Sequence, residues 1–207
     1  DTIKDKLNDK IEIKAVCDTN NERLDLVNDN IVKFNDSSEL IKSNLIDAVL
    51  VSTPHYDHTV IGCEVIRQGL HLLLEKPISV HKNDCCILID CFNNSQIPDQ
   101  IFAVMFNQRT DPIYKKIKKL IGNNELGELR RMNWIITDWF RTDAYYKSGN
   151  WRATWKGEGG GVLMNQCPHQ LDLLCWLFGK PNLVWGQCRF GQWHDIEVED
   201  DVTAIIN

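Results

Sequence analysis

The sequence predicts an α/β protein, a doubly wound parallel sheet followed by part of an α+β domain with an open, mostly antiparallel sheet. Three observations carry that reading. Short β-branched runs alternate with helical periodicities through the first half, the order that builds parallel sheets. Leu45–Ser52 (LIDAVLVS) is a nearly continuous apolar run, as in a strand covered on both faces. Past Gly122 the pattern changes, and Met132, Trp134 and Ile136 alternate with polar neighbours.

The elements follow in order. Ile11–Cys17 (IEIKAVC) reads as a strand ending at Asp18, and Leu24 and Val27 give Asn21–Asn30 a helical spacing. Ile31–Phe34 is a short strand and Ser37–Ser43 a short helix ahead of the apolar strand. Asp57–Gln68 places Val60, Ile61, Val65 and Ile66 on one side, and Gly69 stops it. His71–Leu74 is a strand, Val80–Phe92 a helix, Ile101–Phe106 a strand and Pro112–Ile121 a basic amphipathic helix. Glu128–Phe140 predicts a long strand, and a Trp- and Tyr-rich loop runs from Arg141 to Lys156. Gly159–Gly161 opens an apolar helix that ends at Gly179-Lys180-Pro181, and Leu183–Phe190 and Val202–Ile206 are the last strands. The chain opens on helix-like residues and stops on an apolar strand, so it is expected to be a fragment of a longer protein.

Composition narrows the function classes. Apolar residues are 43% and charged residues 25% of the 207, which excludes wholesale disorder. Lys plus Arg is 23 against 29 Asp plus Glu, with no basic cluster, so neither nucleic acid nor an anionic membrane is the expected partner. The apolar stretches, such as Leu171–Phe178, are too short to span a bilayer. Residues Asp1–Lys10 lack the apolar core of a secretory signal. The eight cysteines (Cys17, Cys63, Cys85, Cys86, Cys91, Cys167, Cys175 and Cys188) show no C-x-x-C pair and no metal-ligand spacing. They read as buried, reduced thiols of a cytoplasmic protein, with no metal site.

Five places could carry chemistry. Asp18 ends an early strand, where a dinucleotide fold puts the acid that binds the adenine ribose, although the glycine-rich turn that should precede it is absent. A turn-initiating aspartate is the alternative. Thr53-Pro54-His55-Tyr56-Asp57-His58 follows the apolar strand, at the end where open sheets bind ligands. Glu75-Lys76-Pro77 also ends a strand, and a partly desolvated lysine there suits a base or a donor to a reacting oxygen. At ~100° per residue, a helix puts Asn165, His169, Asp172 and Trp176 on one face. Cys167, Leu171, Leu174, Cys175 and Phe178 take the opposite, core-facing side. His169, held by Asp172 or Asn165, is then an acid/base candidate. The glycine run before that helix suggests close approach of a ligand or of another backbone. Finally Arg141, Tyr145, Tyr146, Trp151, Arg152 and Trp155 crowd one loop, where exposed aromatics are costly unless they line something.

Five motifs now stand in order: the Thr-Pro-x-x-x-His loop, Glu75-Lys76-Pro77, Asn107-Gln108-Arg109, Trp151-Arg152 and Gly-Gly-Gly…His169-x-x-Asp172. Together they resemble the glucose–fructose oxidoreductase / inositol dehydrogenase (Gfo/Idh/MocA) family across essentially the whole chain. The resemblance implies a Rossmann dinucleotide-binding domain over 1–110 and an α+β substrate and oligomerisation domain over 111–207. It also implies NAD, or NADP, as cofactor and a sugar, cyclitol or related polyol as substrate. By the same resemblance Asp18 would meet the adenosine ribose, and Thr53, Pro54, His55 and His58 would line the dinucleotide. Glu75 and Lys76 would sit by the nicotinamide, Asn107, Trp151 and Arg152 would contact the cofactor, and His169 would be the acid/base partner of Lys76. Arg141, Tyr145, Tyr146, Asn165, Asp172 and His194 are the substrate-side candidates. A homo-oligomer through the C-terminal sheet is expected. Many relatives carry an aspartate four residues before the histidine; an amide stands there instead, and Asn165 cannot take a proton. Two rival readings are a redox-neutral glycosidase that uses held NAD, and a non-catalytic sugar-binding regulator. Asp18 favours NAD over NADP, since a carboxylate repels a 2′-phosphate.

Overall fold

The structure, a computed structural model, describes residues 9–137 and 139–207. The helix-like opening of the chain, residues 1–8, and Asp138 lie outside the described residues. The chain divides into two compact units.

The first unit comprises residues up to 52, then 58–74 and 86–103. Strands β1 (Ala15–Cys17) and β2 (Val32–Phe34) pair in parallel. Helices α1 (Asn21–Asp25) and α2 (Ser37–Ile41) are capped by the side chains of Asn20 and Asp36, which accept the N–H groups of Glu22 and Glu39. A second ladder runs in the order β3 (Ala48–Val51), β4 (His71–Leu74), β5 (Phe102–Val104), with β3 and β4 parallel and Leu50 opposite Leu73. Helix α3 (His58–Gln68) links them. Gly69, at φ 89°, ends α3, and Leu70 N–H reaches back to the Val65 carbonyl at 3.2 Å, the six-residue closure of a Schellman turn. Gln100 then donates to the carbonyls of Ile66 and Leu70, both at 2.9 Å. Leu24, Leu40, Ile41, Val51, Val65, Ile66, Leu72, Leu74 and Leu88 form the core. The apolar strand is not covered on both faces: Ala48 and Leu50 are exposed while Val51 is buried. β3 is the edge strand of its ladder and packs one face only, that of Val49 and Val51.

The second unit comprises residues 53–57, 75–85 and 104 onward. Helix α4 (Lys82–Asn93) begins in it and ends in the first unit. Asp111 caps α5 (Pro112–Gly122), taking the Ile113 N–H at 2.7 Å, with proline in the first turn. Short α6 (Asp143–Lys147) is capped by Thr142, and α7 spans Pro168–Phe178. Strands β6 (Val184–Phe190) and β7 (Glu199–Ile206) are antiparallel, with Cys188 opposite Val202 and a register shift at Arg189/Phe190. The apolar interior is small, with Ala153, Leu173, Leu177 and Val198 buried beside His55, Ser79, Glu158, Asn165 and Glu199.

Three sequence expectations change here. Among the described residues of 128–140 no strand forms, and Ile135, Trp139 and Phe140 are exposed. Alternation marks a strand only where a neighbour closes its ladder, and none is present among the described residues. Helix α7 starts at Pro168, not at the glycines, because a proline fits the first helical position, where no N–H is needed. Its buried residues are Leu173 and Leu177, whereas Leu171, Cys175 and Phe178 of the predicted core face are exposed. The cysteines are all free, but only Cys63 is buried; Cys86, Cys175 and Cys188 are exposed.

Candidate active site

The site residues other than Asp18 and His58 lie in the second unit. The chain leaves β4 through Glu75 into the cis Lys76–Pro77 bond. The Lys76 backbone N–H donates to its neighbour's carboxylate at 3.3 Å. Nζ of Lys76 donates twice to one residue, to the carbonyl oxygen of Asn165 at 2.6 Å and to its side-chain Oδ1 at 3.1 Å. The amide nitrogen of Asn165 faces the other way. It donates to the hydroxyl of Tyr145 at 3.2 Å and to a carboxylate oxygen of Glu158. An acid on one side and an ammonium on the other therefore fix which way round the amide sits.

Glu158 is 2% exposed. Its second oxygen takes the Ala153 N–H at 2.7 Å, and its backbone carbonyl meets Nδ1 of His55 at 2.9 Å. Arg152 stands 4.0 Å from the carboxylate and donates to the Tyr145 hydroxyl at 2.8 Å. Burial pushes the Glu158 carboxyl above its ordinary range, against the pull of the Ala153 and Asn165 bonds and of the Arg152 and Lys76 charges. Burial pushes the Lys76 ammonium down; Glu75 and Glu158 oppose this, while Arg141 and Arg152 add to it. His169 is pushed down by burial and then by the Lys76 charge. Its Nδ1 is buried without a hydrogen-bond partner among the described residues, and its ring stands edge-on to Phe106 at 6.4 Å.

The loop that carries Asn165 is held by a carboxylate. Glu199, at the start of β7, accepts the N–H groups of Gly161 at 3.0 Å and Leu163 at 3.1 Å, and its carbonyl takes the Val162 N–H at 2.9 Å. This is what the glycine run serves. A Cβ on Gly161 would lie 2.0 Å from the Glu199 carbonyl oxygen, and one on Gly159, at φ 82°, would lie 2.2 Å from Val80. The close approach is to the protein's own backbone and to the Val80 side chain.

Other predicted residues fall differently. Asp172 does not orient His169: it is bound by Arg109, Nε to Oδ2 at 2.7 Å and Nη2 to Oδ1 at 2.5 Å. Asn165 does not share a helix face with His169, since it precedes the first turn of α7. Both ring nitrogens of His194 are engaged, by Asp200 at 3.3 Å and by the Arg141 carbonyl at 2.9 Å. Tyr146 packs edge-on to His194 at 5.0 Å, and burial pushes its hydroxyl up. Trp151 stacks under Arg152 and edge-on to His55 at 5.5 Å. Thr53 and Pro54 lead into the single turn His55–Asp57, and Asn107 opens another short turn. A cavity of about 260 Å³ has Tyr146, Arg152 and Glu197 in its wall, but neither Lys76 nor His169. In the first unit, His58 is fully buried at the start of α3. Asp18 there accepts from the Asn20 N–H at 2.8 Å and from Arg23 at 3.2 Å, and the first of these holds it below the usual carboxylate range. Glu158, Glu199 and Arg109 are the wiring that sequence reasoning missed. Glu158, beside the glycine run, and Arg109, in the Asn107-Gln108-Arg109 motif, were visible without a role assigned to either; Glu199 gave no signal.

Two sequence profiles of one family cover most of the chain: "Oxidoreductase family, NAD-binding Rossmann fold" over residues 3–97 and "GFO/IDH/MocA C-terminal domain" over residues 114–207. The chain belongs to the GFO/IDH/MocA family. Among curated relatives, Oxidoreductase P35 of Formosa agariphila is 31% identical over 165 residues, 79% of this chain and 50% of that protein. A glycosyl hydrolase family 109 protein of Shewanella baltica is 26% identical over 168 residues, 74% of this chain and 36% of that one. Among solved structures, the WlbA dehydrogenase from Bordetella pertussis, in complex with NADH and UDP-GlcNAcA, superposes with a TM-score of 0.85 at 25% identity, covering 97% of this chain and 57% of that one. This GFO/IDH/MocA chain thus spans about half the length of these relatives or less. It has the family's Rossmann-like domain with parallel strands and the C-terminal domain with an antiparallel sheet.

Proposed function

We propose that the protein containing this chain is an NAD-dependent dehydrogenase of a sugar, cyclitol or related polyol, with Lys76 and His169 as its proton-handling pair. The observation that carries this is the double hydrogen bond from Lys76 to Asn165. An ammonium has three N–H groups and an amine has two N–H groups and a lone pair. With two donors spent on Asn165, the protonated form keeps one N–H for a substrate oxygen, and the neutral form keeps its lone pair. One cradle therefore serves both directions: a donor to a carbonyl being reduced, an acceptor for the proton of a hydroxyl being oxidised. Burial brings the lysine closer to exchanging between them. His169, also lowered, is the second group able to take the proton. Bound nicotinamide supplies the hydride acceptor or donor.

Asp18, Thr53, Pro54, His55, Glu75, Asn107 and the Trp151-Arg152 pair are proposed to hold the cofactor. Asp18 fits the group: a carboxylate stands at the C-terminal end of β1, where ribose-binding acids stand. His58 is too buried, and His194 too fully bonded, to belong to the proposal. The division near residue 110 is supported by the gap between the two family profiles, residues 98–113. Eight free thiols support a cytoplasmic location; among the described residues no helix is long and apolar enough to cross a membrane. Self-association through β6–β7 is part of the proposal. Val184, Gly186, Cys188 and Phe190 alternate along one face of β6, with Val202, Ala204 and Ile206 opposite on β7, and every β6 residue is exposed.

The test follows nicotinamide absorbance with NAD and NADP against sugars and inositols, using the whole protein. Turnover abolished by Lys76→Ala is the expected result; cofactor binding with no net reduction on any compound sinks the reading. A second reading, the redox-neutral glycosidase, is supported by the Shewanella relative. Release of sugar from an aryl glycoside without accumulating NADH distinguishes it.

A further inference from the structure

We propose that Arg141 is a binding point for an anionic group, a carboxylate or a phosphate, on the sugar substrate. The inference rests on the dehydrogenase reading and narrows its substrate class from neutral polyols to acidic sugars.

The neighbouring part-buried arginine and its counterpart on α7's side already have acceptors: Arg152 the Tyr145 hydroxyl and Arg109 the Asp172 carboxylate. Arg141 differs. Among the described residues its buried Nε has no hydrogen-bond partner and no carboxylate pairs with it. Three acids that share its electrostatic surroundings are committed elsewhere. Glu158 is bonded to Ala153 and Asn165, Glu75 to the Lys76 N–H, and Asp200 to the N–H groups of Gln192, Trp193 and His194. A guanidinium left this way is an uncompensated, partly desolvated charge.

It is also held in place. Its central carbon lies 4.4 Å from the centre of the Tyr145 ring and 5.1 Å from that of Trp139, so the guanidinium packs on two aromatic rings. Tyr145 is itself anchored through its hydroxyl by Arg152 at 2.8 Å and Asn165 at 3.2 Å. The Arg141 carbonyl, bonded by His194 at 2.9 Å, ties the backbone down as well. The field of Arg141 reaches Lys76, so the fork belongs to the electrostatic surroundings of the reacting amine. Hydroxyl groups leave that charge unmatched, whereas a carboxylate or phosphate takes two parallel N–H bonds from it.

The experiment compares kcat/KM for D-gluconate, D-glucuronate and glucose 6-phosphate with that for glucose. The expected preference for an acidic sugar is about 100-fold, the worth of a charge-assisted bidentate pair. Arg141→Gln should collapse that ratio, and Arg141→Lys should restore part of it, since it keeps the charge and loses the fork. Thermal melting confirms that both variants are folded. The carboxylated and phosphorylated sugars separate the two anion chemistries. An unchanged ratio in Arg141→Gln overturns the proposal. So does a loss that appears only as a raised KM for NAD with every sugar, which assigns Arg141 to the cofactor. If no sugar is turned over, the dehydrogenase reading fails by itself. Tryptophan fluorescence titration with gluconate and glucose then still decides: tighter gluconate binding that Arg141→Gln removes supports the anion site, and equal affinities overturn it.

Discussion

Asn165 shows how one amide replaces a carboxylate without losing its neighbours. An aspartate there would set a second negative charge beside Glu158, which is already raised by burial. The amide instead links acid to amine and carries no charge of its own. Glu158 is thus a positioning residue that acts on Lys76 through Asn165. Its charge favours the lysine cation, so removing it lowers the Lys76 pKa further. Glu158→Gln should move the rising limb of a pH–rate profile for oxidation to lower pH, and Glu158→Ala should in addition lower kcat by freeing the amide. A profile that does not move would exclude the coupling. Lys76→Ala should cost about 10³-fold in kcat/KM, in the range of a lost acid/base group. Burial of Lys76 also has a stability consequence. The unfolded chain keeps the proton up to the ordinary lysine pKa of about 10.4, while the folded chain releases it earlier. Between the two values the unfolded state binds more protons, so this contribution to stability rises with pH there and is least favourable below the folded value. Wild type and Lys76→Met, melted across the alkaline range, should show that difference. On the ribose-binding role proposed for Asp18, its ion-pair partner Arg23 would put a guanidinium within reach of a 2′-phosphate. Arg23→Ala should therefore shift selectivity towards NAD, read as the ratio of kcat/KM values for NAD and NADP.

At the level of elements, local chemistry was legible and dependence on partners was not. Helices α3 and α5 and strand β4 lie within a residue or so of their predicted bounds. Each has its own local signal: Gly69 ends α3, Asp111-Pro112 opens α5, and a run of three leucines marks β4. Strand 128–140 failed because a ladder is a property of two segments. The helix wheel drawn from Asn165 failed because Pro168 restarts the helix. Sequence order singled out Lys76, His169 and Asn165 and offered Asp172 or Asn165 as the partner of His169, because nothing in the spacing reveals that Arg109, 63 residues away, claims that acid. The glycine turn gives a sharp element-level expectation. Gly161→Ala should destabilise by about 1–3 kcal/mol, as overpacking does, since its Cβ would meet a carbonyl oxygen at 2.0 Å. Denaturant unfolding measures it.

Across the whole molecule the two units differ in what fills them. The first buries mainly leucine, isoleucine and valine; the second buries two acids, an amide, a histidine and a serine around little apolar mass. Such a centre is sensitive to any group left unpaired. Its apolar material is instead displayed on the β6–β7 ladder, where Val184 and Phe190 are 59% and 57% exposed. Val184→Lys should therefore reduce self-association, seen as a lower weight-average mass in sedimentation equilibrium. An unchanged mass would remove this face from the assembly.

Glu199 stands at the junction of that ladder and the loop bearing Asn165. Whatever steadies β7 steadies the carboxylate that grips Gly161 and Leu163, and with it the amide that cradles Lys76. Association would then be felt at the chemistry, with no residue passing from one copy to the next. Activity per chain should fall on dilution below the dissociation constant of the assembly and recover on concentration, making protein abundance itself a control on turnover.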